Sequence, residues 1–553
     1  MLWLCNSNGF IACCQSFFKP ALFALLFAFI AGCSDVEQAP VLNEGIIYCS
    51  EGAPNAFNPQ LVTSGTTIDA TSRQLYNRLL DFNAQNYDKV PSLAKSWHVT
   101  KDGRYITFYL RHDVSFHQTE YFTPTRTLNA DDVIFSFNRI LDVNNPFYKS
   151  AKGQFPFFQS IDFDALVDTI ERIDDYTIRF HLNYPQSSFL ANLAAPFSVI
   201  LSKEYADYLV ANQLPLTRLD SMPIGTGPFK FKSYQVGSLI RYARHENYWR
   251  KNVQIKQLLF NISPRNTGRL TKLFTHECDV ISYPIALQEI RSRTDLELEQ
   301  VTSFNVAYMA FNTQKPPFDN PVVRRAIAHA INKQAIISAV YFDQADIADS
   351  LLPKASWAYD STINGIEYSV SKAKRLLRDA GLENGFQIDL WAMPVQRAYN
   401  PNALKMAKLI QADLAQIGVT VNIVRYEWST FLKKLARGEH QSVLIGWLAD
   451  HPDPDNFFSP LLSCAAVETG SNRAQWCNRK FDRLLKKSLL TNDLSERQAL
   501  YTQAQQMLIQ EIPLLPIAHA KRSQARLSHI NGNILTAIGG ISFEDVHKQV
   551  EKQ

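Results

Sequence analysis

The sequence predicts an α/β protein with more than one lobe. Its 553 residues exceed what one hydrophobic core usually organises, and 46% of them are hydrophobic, enough to build several cores. After about residue 300 helical and strand patterns alternate, whereas the first half is richer in strand patterns. Such alternation is typical of helices packed on mostly parallel sheets. The 56 basic residues exceed the 52 acidic ones by only four, so composition gives no electrostatic argument for nucleic-acid binding.

Strand and turn patterns dominate the first half. The predicted elements are a strand over 45–50, a helix over 71–80, a hairpin turning at 102–103 and a hairpin turning at 174–175. Asn129 precedes an amphipathic segment with acidic residues in its first turn, which predicts a capped helix. Segment 223–229 contains glycines and prolines without a following helix pattern, which indicates a turn rather than a nucleotide-binding loop. Asn320 and Pro321 predict the start of one long helix over 322–341.

A βαβαβ unit is predicted in the second half. Its elements are a strand over 386–391, a helix over 402–416, a strand over 419–423, a helix over 429–436 and a strand over 443–448. Connections of this kind are nearly always right-handed and join parallel strands, and open α/β sheets bind ligands outside the carboxyl ends of their strands. Arg397 follows the first of these strands and Asp450 the last, so we expect both at one edge of the sheet.

Arg397 and Asp450 suggest the chemistry of a ligand. A carboxylate suits an ammonium group and a guanidinium suits a carboxylate, and these are the two ends of a free peptide or amino acid. The distance between the two charges would then set the length of ligand that is accepted. The alternative is that both are solvated loop charges or pair with neighbouring side chains.

Several aromatic residues lie near this predicted site. Apolar walls with a few polar anchors are usual in pockets that accept varied ligands. We expect Tyr399 and Trp447 to contact the ligand, although a core position for Tyr399 stays open. Phe457 and Phe458 are expected in the core.

The N-terminal segment predicts export. Residues 21–30 are uncharged and apolar, and small residues then lead to Cys33. The stretch is shorter than the roughly 20 residues that span a bilayer, which favours a signal peptide over residues 1–33. Ile30-Ala31-Gly32-Cys33 resembles a bacterial lipobox, which predicts lipidation at Cys33 and a membrane tether. A plain cleaved signal is the alternative.

Four cysteines remain beyond Cys33 in the exported chain: Cys49, Cys278, Cys464 and Cys477. An even number in an oxidising compartment suggests two disulfides, and three pairings are possible. The short separation favours Cys464 with Cys477, which leaves Cys49 with Cys278. The alternative of a zinc site lacks a CxxC pattern.

Motifs for catalysis are absent from the sequence, which contains neither HExxH nor GxSxG. His117 and Glu120 make a weak metal pair without a third ligand nearby. The acidic stretch 450–456 contains two prolines and lacks the glycine of a calcium loop, so Asp453 and Asp455 are expected in a structural turn. We therefore predict no enzyme, no metal site and no cofactor, with a secreted hydrolase as the remote alternative.

Distinct motifs resemble family 5 of the periplasmic solute-binding proteins of dipeptide and oligopeptide ABC importers. The motifs are Tyr48–Gly52, Phe57–Gln60, Leu128–Val133, Ile224–Phe229, Trp391–Arg397, Asp453–Phe458 and Cys464–Ala466. Residues 267–273, 277–280 and 355–360 look like SapA-type peptide transport proteins, whereas the stretch 391–476 looks more like the dipeptide receptor.

The resemblance implies a type II periplasmic binding protein fold, in which two hinge-linked halves close on a ligand and a third lobe is added. It implies a first lobe from 43–75, 225–302 and 521–549, a second from 76–224 and a third from 303–520. It also implies that Asp450 holds a peptide's amino terminus and Arg397 its carboxyl terminus, and it implies the disulfides Cys49–Cys278 and Cys464–Cys477.

The expected function is therefore that of a monomeric, lipid-anchored periplasmic receptor for short peptides. It would deliver them to an inner-membrane ABC permease, and the SapA-type segments imply a link to antimicrobial-peptide resistance. Haem or a cationic antimicrobial peptide is the alternative ligand that the resemblance leaves open.

Overall fold

Strands from all parts of the chain form the framework of the computed structural model, which describes residues 44–62, 64–468 and 470–549. The strands are β1 (Gly45–Ser50), β2 (Leu80–Phe82), β3 (Lys89–Pro91), β4 (Ala94–Val99), β5 (Tyr105–Leu110), β6 (Val167–Asp174), β7 (Thr177–Leu182), β8 (Phe229–Gln235), β9 (Leu239–Arg244), β10 (Gln257–Ile262), β11 (Val280–Ser282), β12 (Leu296–Thr302), β13 (Asn305–Phe311), β14 (Ala345–Ile347), β15 (Phe386–Ala392), β16 (Val419–Val424), β17 (Ser442–Leu448), β18 (Leu514–Leu527), β19 (Ile530–Asn531) and β20 (His547–Lys548).

Helices connect most of these strands. They are α1 (Gly65–Thr71), α2 (Ala130–Leu141), α3 (Pro146–Ser150), α4 (Pro156–Ser160), α5 (Phe163–Leu166), α6 (Phe189–Ala194), α7 (Lys203–Ala211), α8 (Arg218–Ser221), α9 (Asn266–Phe274), α10 (Leu287–Ser292), α11 (Pro321–Ala330), α12 (Lys333–Tyr341), α13 (Val370–Asp379), α14 (Ala403–Ala415), α15 (Trp428–Ala436), α16 (Asp455–Leu462), α17 (Cys464–Glu468), α18 (Arg479–Leu490) and α19 (Leu494–Glu511). Within the described part of the chain, none of these helices has the length and apolar character needed to cross a membrane.

The largest sheet contains twelve strands, and β18 joins its two parts. The strand order is β16-β15-β17-β13-β18-β11-β1-β10-β9-β8, and β12 and β14 also pair with β18. The first half of β18 pairs with β13, whereas the second half pairs with β11 and β12. A single long strand therefore carries hydrogen bonding from one part of the sheet to the other.

The buried apolar side chains form two clusters. One consists of residues between 46 and 296 together with residues between 525 and 546. The other consists of residues between 304 and 520 together with Ala537 and Ile538. The second cluster surrounds β13, β15, β16 and β17, so the predicted site residues belong to a part of the molecule with its own core.

Most of the predicted elements are confirmed. The hairpins β4–β5 and β6–β7 belong to one antiparallel four-stranded sheet. Asn129 caps α2, where its side chain and that of Asp132 form a capping box. In the βαβαβ unit β15 pairs in parallel with both β16 and β17, and α14 and α15 begin and end within one residue of their predicted limits.

The helix predicted over 71–80 is wrong. The observed helix α1 ends at Thr71, and the chain then passes through turns. Backbone N–H groups of Gly227 and Phe229 donate hydrogen bonds to the carbonyls of Leu75 and Gln74, at 3.0 and 2.9 Å. An added Cβ at Gly227 would lie 2.5 Å from the Leu75 carbonyl carbon. The distant turn therefore occupies the two carbonyls that would accept hydrogen bonds from the next turn of a continuing helix.

The single helix predicted over 322–341 is also wrong, because it is divided into α11 and α12. The start is as predicted, with Asn320 as N-cap and Pro321 in the first turn. Asn332 interrupts the helix: its side chain accepts a hydrogen bond from Ala335 N, and its own N–H donates to Asp413 Oδ2 at 2.9 Å. A polar residue that binds the backbone locally thus ends one helix and starts the next.

Two disulfides link the described residues. Cys464 is bonded to Cys477 and Cys49 to Cys278, with sequence separations of 13 and 229 residues. These are the pairs that both the short separation and the family resemblance favour. The predicted signal segment and Cys33 lie outside the described residues.

Candidate functional site

Arg397 and Asp450 lie at the same edge of the sheet. Arg397 comes five residues after the end of β15, and Asp450 two residues after the end of β17. The two strands are parallel neighbours, with Ala392 opposite Leu444. Since the chain leaves both strands at their carboxyl ends, the sheet topology places both loops where open α/β sheets bind ligands.

Asp450 is a half-buried carboxyl group without a counter-charge. Among the described residues, no Lys, Arg or His nitrogen lies within 4.0 Å of it. Burial raises the pKa of the Asp450 carboxyl to about 7, while a hydrogen bond with Asn456 acts in the opposite direction. Because burial disfavours the charged form, a cation brought by a ligand would restore it.

Asn456 organises the surroundings of Asp450 from the first turn of α16. Its Oδ1 accepts hydrogen bonds from the Asp450 backbone N–H and from Trp447 Nε1, both at 3.0 Å. One amide oxygen therefore fixes the loop that carries the carboxyl group and the indole at the end of β17. Sequence reasoning placed Asn456 within a family motif but assigned it no role.

Arg397 occupies a tight turn against an aromatic ring. Its backbone exchanges two hydrogen bonds of 3.0 Å with Asn400, and its guanidinium lies 4.9 Å from the ring centroid of Trp428. The side chain is half-buried, and among the described residues it has no carboxylate partner within 4.0 Å. Stacking on an indole leaves the edge of the guanidinium able to donate to a carboxylate.

Tyr399 is buried, with 8% of its surface exposed. Its carbonyl accepts a 2.8 Å hydrogen bond from Tyr341 Oη, and its ring lies against Gly446 of β17, where an added Cβ would be 2.3 Å from Tyr399 Cδ2. Burial raises the pKa of its hydroxyl, and the positive charges of Arg397 and Arg473 partly oppose that shift. The ring therefore joins the loop after β15 to the strand before Asp450.

Asp450 and Trp447 line a cavity of about 490 Å³. Its walls come from segment 157–162, segment 184–186 and the region 447–490. Arg397 and Tyr399 are not among the lining residues. The structure thus brings two of the four predicted contact residues into one cavity and leaves the other two on the adjoining loop.

Asp453 and Asp455 have different environments. Asp453 forms the expected turn, in which its Oδ1 accepts from Asp455 N, and it pairs with Arg497 Nη2 at 2.9 Å. Asp455 faces the cavity beside Asp450 and His451. The sequence carries no signal that separates two acids spaced two residues apart.

The remaining candidates are structural. Phe457 and Phe458 are fully buried, as predicted. His117 accepts a hydrogen bond from Gly225 N and contacts the Gly227 carbonyl, while Glu120 pairs with Lys232. No group of three or more His, Cys, Asp or Glu residues suited to a metal ion occurs within the described ranges.

Comparison with known proteins identifies the family. Residues 89–469 match the family model described as bacterial extracellular solute-binding proteins, family 5 Middle. The chain is 45% identical to the dipeptide-binding protein of Escherichia coli over 92% of this chain and 95% of that protein, and 42% identical to the probable ABC transporter periplasmic-binding protein SapA of the same organism over 95% and 96%.

A solved structure extends the comparison to the fold. The dipeptide-binding protein of Pseudoalteromonas sp. SM9913 in complex with Met-Leu has a TM-score of 0.85 and 47% identity, covering 91% of this chain and all of that one. This likeness confirms the predicted type II periplasmic binding protein fold. The chain belongs to family 5 of the bacterial extracellular solute-binding proteins.

Proposed function

We propose that this protein is the periplasmic receptor of an ABC importer and captures short peptides by their charged ends. The observation that carries the proposal is the pair of half-buried, opposite charges, Asp450 and Arg397, at one sheet edge without an internal counter-charge. Burying an unpaired charge is costly, so a site that keeps two of opposite sign suits a zwitterionic ligand. The relatives named for dipeptide binding support this class.

Asp450 is the proposed acceptor for the peptide's ammonium group, and Arg397 the proposed donor to its carboxylate. Trp447 forms part of the cavity wall next to Asp450. For Tyr399, burial restricts any ligand contact to the small exposed part of the ring, so we assign it mainly to support of the Arg397 loop. Varied side chains would be tolerated because recognition depends on the termini and backbone.

The other parts of the proposal concern assembly. We propose the three-lobe division stated above, closure of two halves around the peptide, and delivery to an inner-membrane permease, and family membership supports each of them. Lipidation at Cys33 would hold the receptor at a membrane, and a monomer suffices for this role. Peptide capture requires no catalysis, metal or cofactor.

Haem fits the cavity less well than a peptide amine. Haem carries carboxylates of its own, whereas the cavity beside Asp450 presents several carboxyl groups. Like charges at short range are unfavourable in a partly buried site. Absorbance titration with haemin provides a direct check, and we expect no shift of the haem absorbance band at micromolar protein.

Isothermal titration calorimetry with Ala-Ala tests the anchor assignment. Asp450→Ala should weaken binding at least 100-fold, because the ammonium group would lose the carboxylate proposed to hold it. N-acetylated Ala-Ala, which lacks the ammonium group, should bind the unaltered protein equally poorly. Glu383→Ala changes an exposed acid that does not line the cavity and serves as the control. Unchanged affinity in Asp450→Ala would refute the assignment.

A further inference from the structure

The cavity beside Asp450 carries more carboxyl groups than one peptide amine can engage. Four carboxyl groups line it, those of Asp162, Asp450, Asp455 and Asp482, against the single ammonium group of Lys486. In the proposed function Asp450 is engaged by the terminal amine. For the other three carboxyl groups, the only cationic side chain among the described lining residues is Lys486. Lys486 forms no ion pair within 4.0 Å in the described part of the chain.

Asp455 is the most informative of these groups. It is 9% exposed and has no cationic partner within 4.0 Å in the described part of the chain. Its one side-chain partner is Ser459, which donates a hydrogen bond to Oδ1. Asp453, two residues earlier, is buried to a similar degree and is paired with Arg497. The same turn therefore neutralises one buried acid internally and leaves the other facing the cavity.

His451 supplies an independent observation. It is 2% exposed, lines the same cavity, and has no hydrogen-bond partner within the described ranges, with Nδ1 buried and unsatisfied. Buried polar groups in folded proteins are nearly always satisfied, by protein, water or ligand. Burial lowers the pKa of His451 to about 4, so the ring is neutral near pH 7 and offers an acceptor nitrogen.

The remaining walls suit an aliphatic chain. Phe157, Ile161, Leu485 and Leu489 are apolar lining residues, and the cavity volume of about 490 Å³ falls in the range of ligand pockets. Lys and Arg side chains bury their methylene stems along such surfaces while their charged heads reach polar partners. The pattern of acceptors beyond an apolar wall therefore matches a long basic side chain.

We propose, as an extension of the proposed function, that this cavity receives the first side chain of the peptide and favours lysine or arginine there. Asp455 is the principal specificity-determining residue, and Asp482 and His451 are further acceptors. Lys486 opposes the preference because it contributes the only like charge among the described lining residues. Peptides with a neutral first side chain still bind through their termini, with lower affinity.

Calorimetry with Lys-Ala and norleucine-Ala tests the proposal, because the two peptides differ in the side-chain ammonium group. We expect Lys-Ala to bind at least tenfold more tightly. Asp455→Asn should reduce this ratio to about threefold or less, and Lys486→Met should increase it. Glu383→Gln, an exposed acid outside the cavity lining, is the matched control and should leave the ratio unchanged.

The outcomes separate this inference from the function on which it rests. If Ala-Ala and norleucine-Ala fail to bind, peptide capture itself is wrong. If both bind but Lys-Ala shows no advantage, only the side-chain preference is wrong. Far-UV circular dichroism establishes that Asp455→Asn is folded; if it is not, an unchanged Lys-Ala to norleucine-Ala ratio in Lys486→Met would still overturn the proposal.

Discussion

At the scale of single residues, the site is built from groups that the fold leaves unsatisfied. Asp450 is half-buried without a counter-charge, whereas Asp453 nearby is paired with Arg497. Arg397 rests on Trp428 with no carboxylate partner in the described chain. Since buried charges are normally paired, these unpaired groups support the proposal that they anchor a ligand.

Replacement of Asn456 by alanine should weaken peptide binding and reduce stability together. Its Oδ1 accepts from both Asp450 N and Trp447 Nε1, so two donors would lose their partner. We expect about tenfold weaker Ala-Ala binding and a loss of about 1–3 kcal/mol in the free energy of unfolding. Calorimetry and urea denaturation measure the two effects. Asn212→Ala, at an exposed helix end, is the control and should change neither; a normal affinity in Asn456→Ala would contradict the positioning role.

Ligand-free stability should depend on the protonation of Asp450. Its pKa is about 7 in the folded protein and near 4 in an unfolded chain, so between these values the folded state binds more protons. The contribution of Asp450 to the free energy of unfolding therefore falls as pH rises from about 4 to about 7. Asp450→Asn should be more stable than the unaltered protein at pH 7.5, by up to about 4 kcal/mol, and nearly equal to it at pH 4. Urea denaturation without peptide checks this; a difference that is independent of pH would contradict it.

At the scale of elements, the geometry of the site depends on parallel strands and on one glycine. The loops after β15 and β17 meet because both strands end at one edge. Gly446 leaves room for the Tyr399 ring and for the Val306 carbonyl of the neighbouring strand β13, because both lie where a Cβ would stand. The aromatic ring then couples the Arg397 loop to the strand that leads to Asp450.

Gly446→Ala should destabilise the protein by about 1–3 kcal/mol. The added Cβ would lie 2.3 Å from Tyr399 Cδ2 and 2.4 Å from the Val306 carbonyl oxygen, and a backbone atom cannot move aside easily. Gly268→Ala in α9 is the matched control: its Cβ would meet nothing closer than 3.8 Å, and alanine favours a helix. The control should be neutral or slightly stabilising in thermal denaturation. Equal melting temperatures for both variants would contradict the packing argument.

At the scale of the whole molecule, two apolar cores are connected by the shared strand β18. The disulfides act at different ranges, because Cys464–Cys477 closes 13 residues and Cys49–Cys278 closes 229. The shorter disulfide lies next to α16–α18, which form part of the cavity region. The longer disulfide joins β1 covalently to the segment just before β11.

Removing the two disulfides separately should affect stability unequally. In the chain-entropy model the 13-residue loop contributes about 3 kcal/mol and the 229-residue loop about 5 kcal/mol. The double variant Cys49→Ser with Cys278→Ser should therefore lose more of the free energy of unfolding than Cys464→Ser with Cys477→Ser. Chemical denaturation compares them. A larger loss from opening the shorter loop would show that local packing, not chain entropy, dominates.

Sequence patterns predicted elements well where local signals agree with tertiary packing. The capped helix after Asn129 and the βαβαβ unit are examples, since caps and periodicity are local properties. The helices predicted over 71–80 and 322–341 were wrong because distant groups determine the backbone conformation there. Backbone contacts from the turn at Gly227 end the first helix, and the hydrogen bond to Asp413 together with the Asn332 cap divides the second.

The sequence by itself determined the fold class, the two loops that carry Arg397 and Asp450, and membership of the family. Periodicity, turn residues and motifs are local properties of the sequence, so they can be recognised without knowing which residues are neighbours in space. Only the tertiary structure decided that Asn456 binds both the Asp450 backbone and Trp447, and that the Tyr399 ring is buried against Gly446. It also decided that Asp455 faces the cavity, whereas Asp453 is paired with Arg497. Burial and charge pairing depend on residues far apart in sequence, and they determine which charges are left for a ligand.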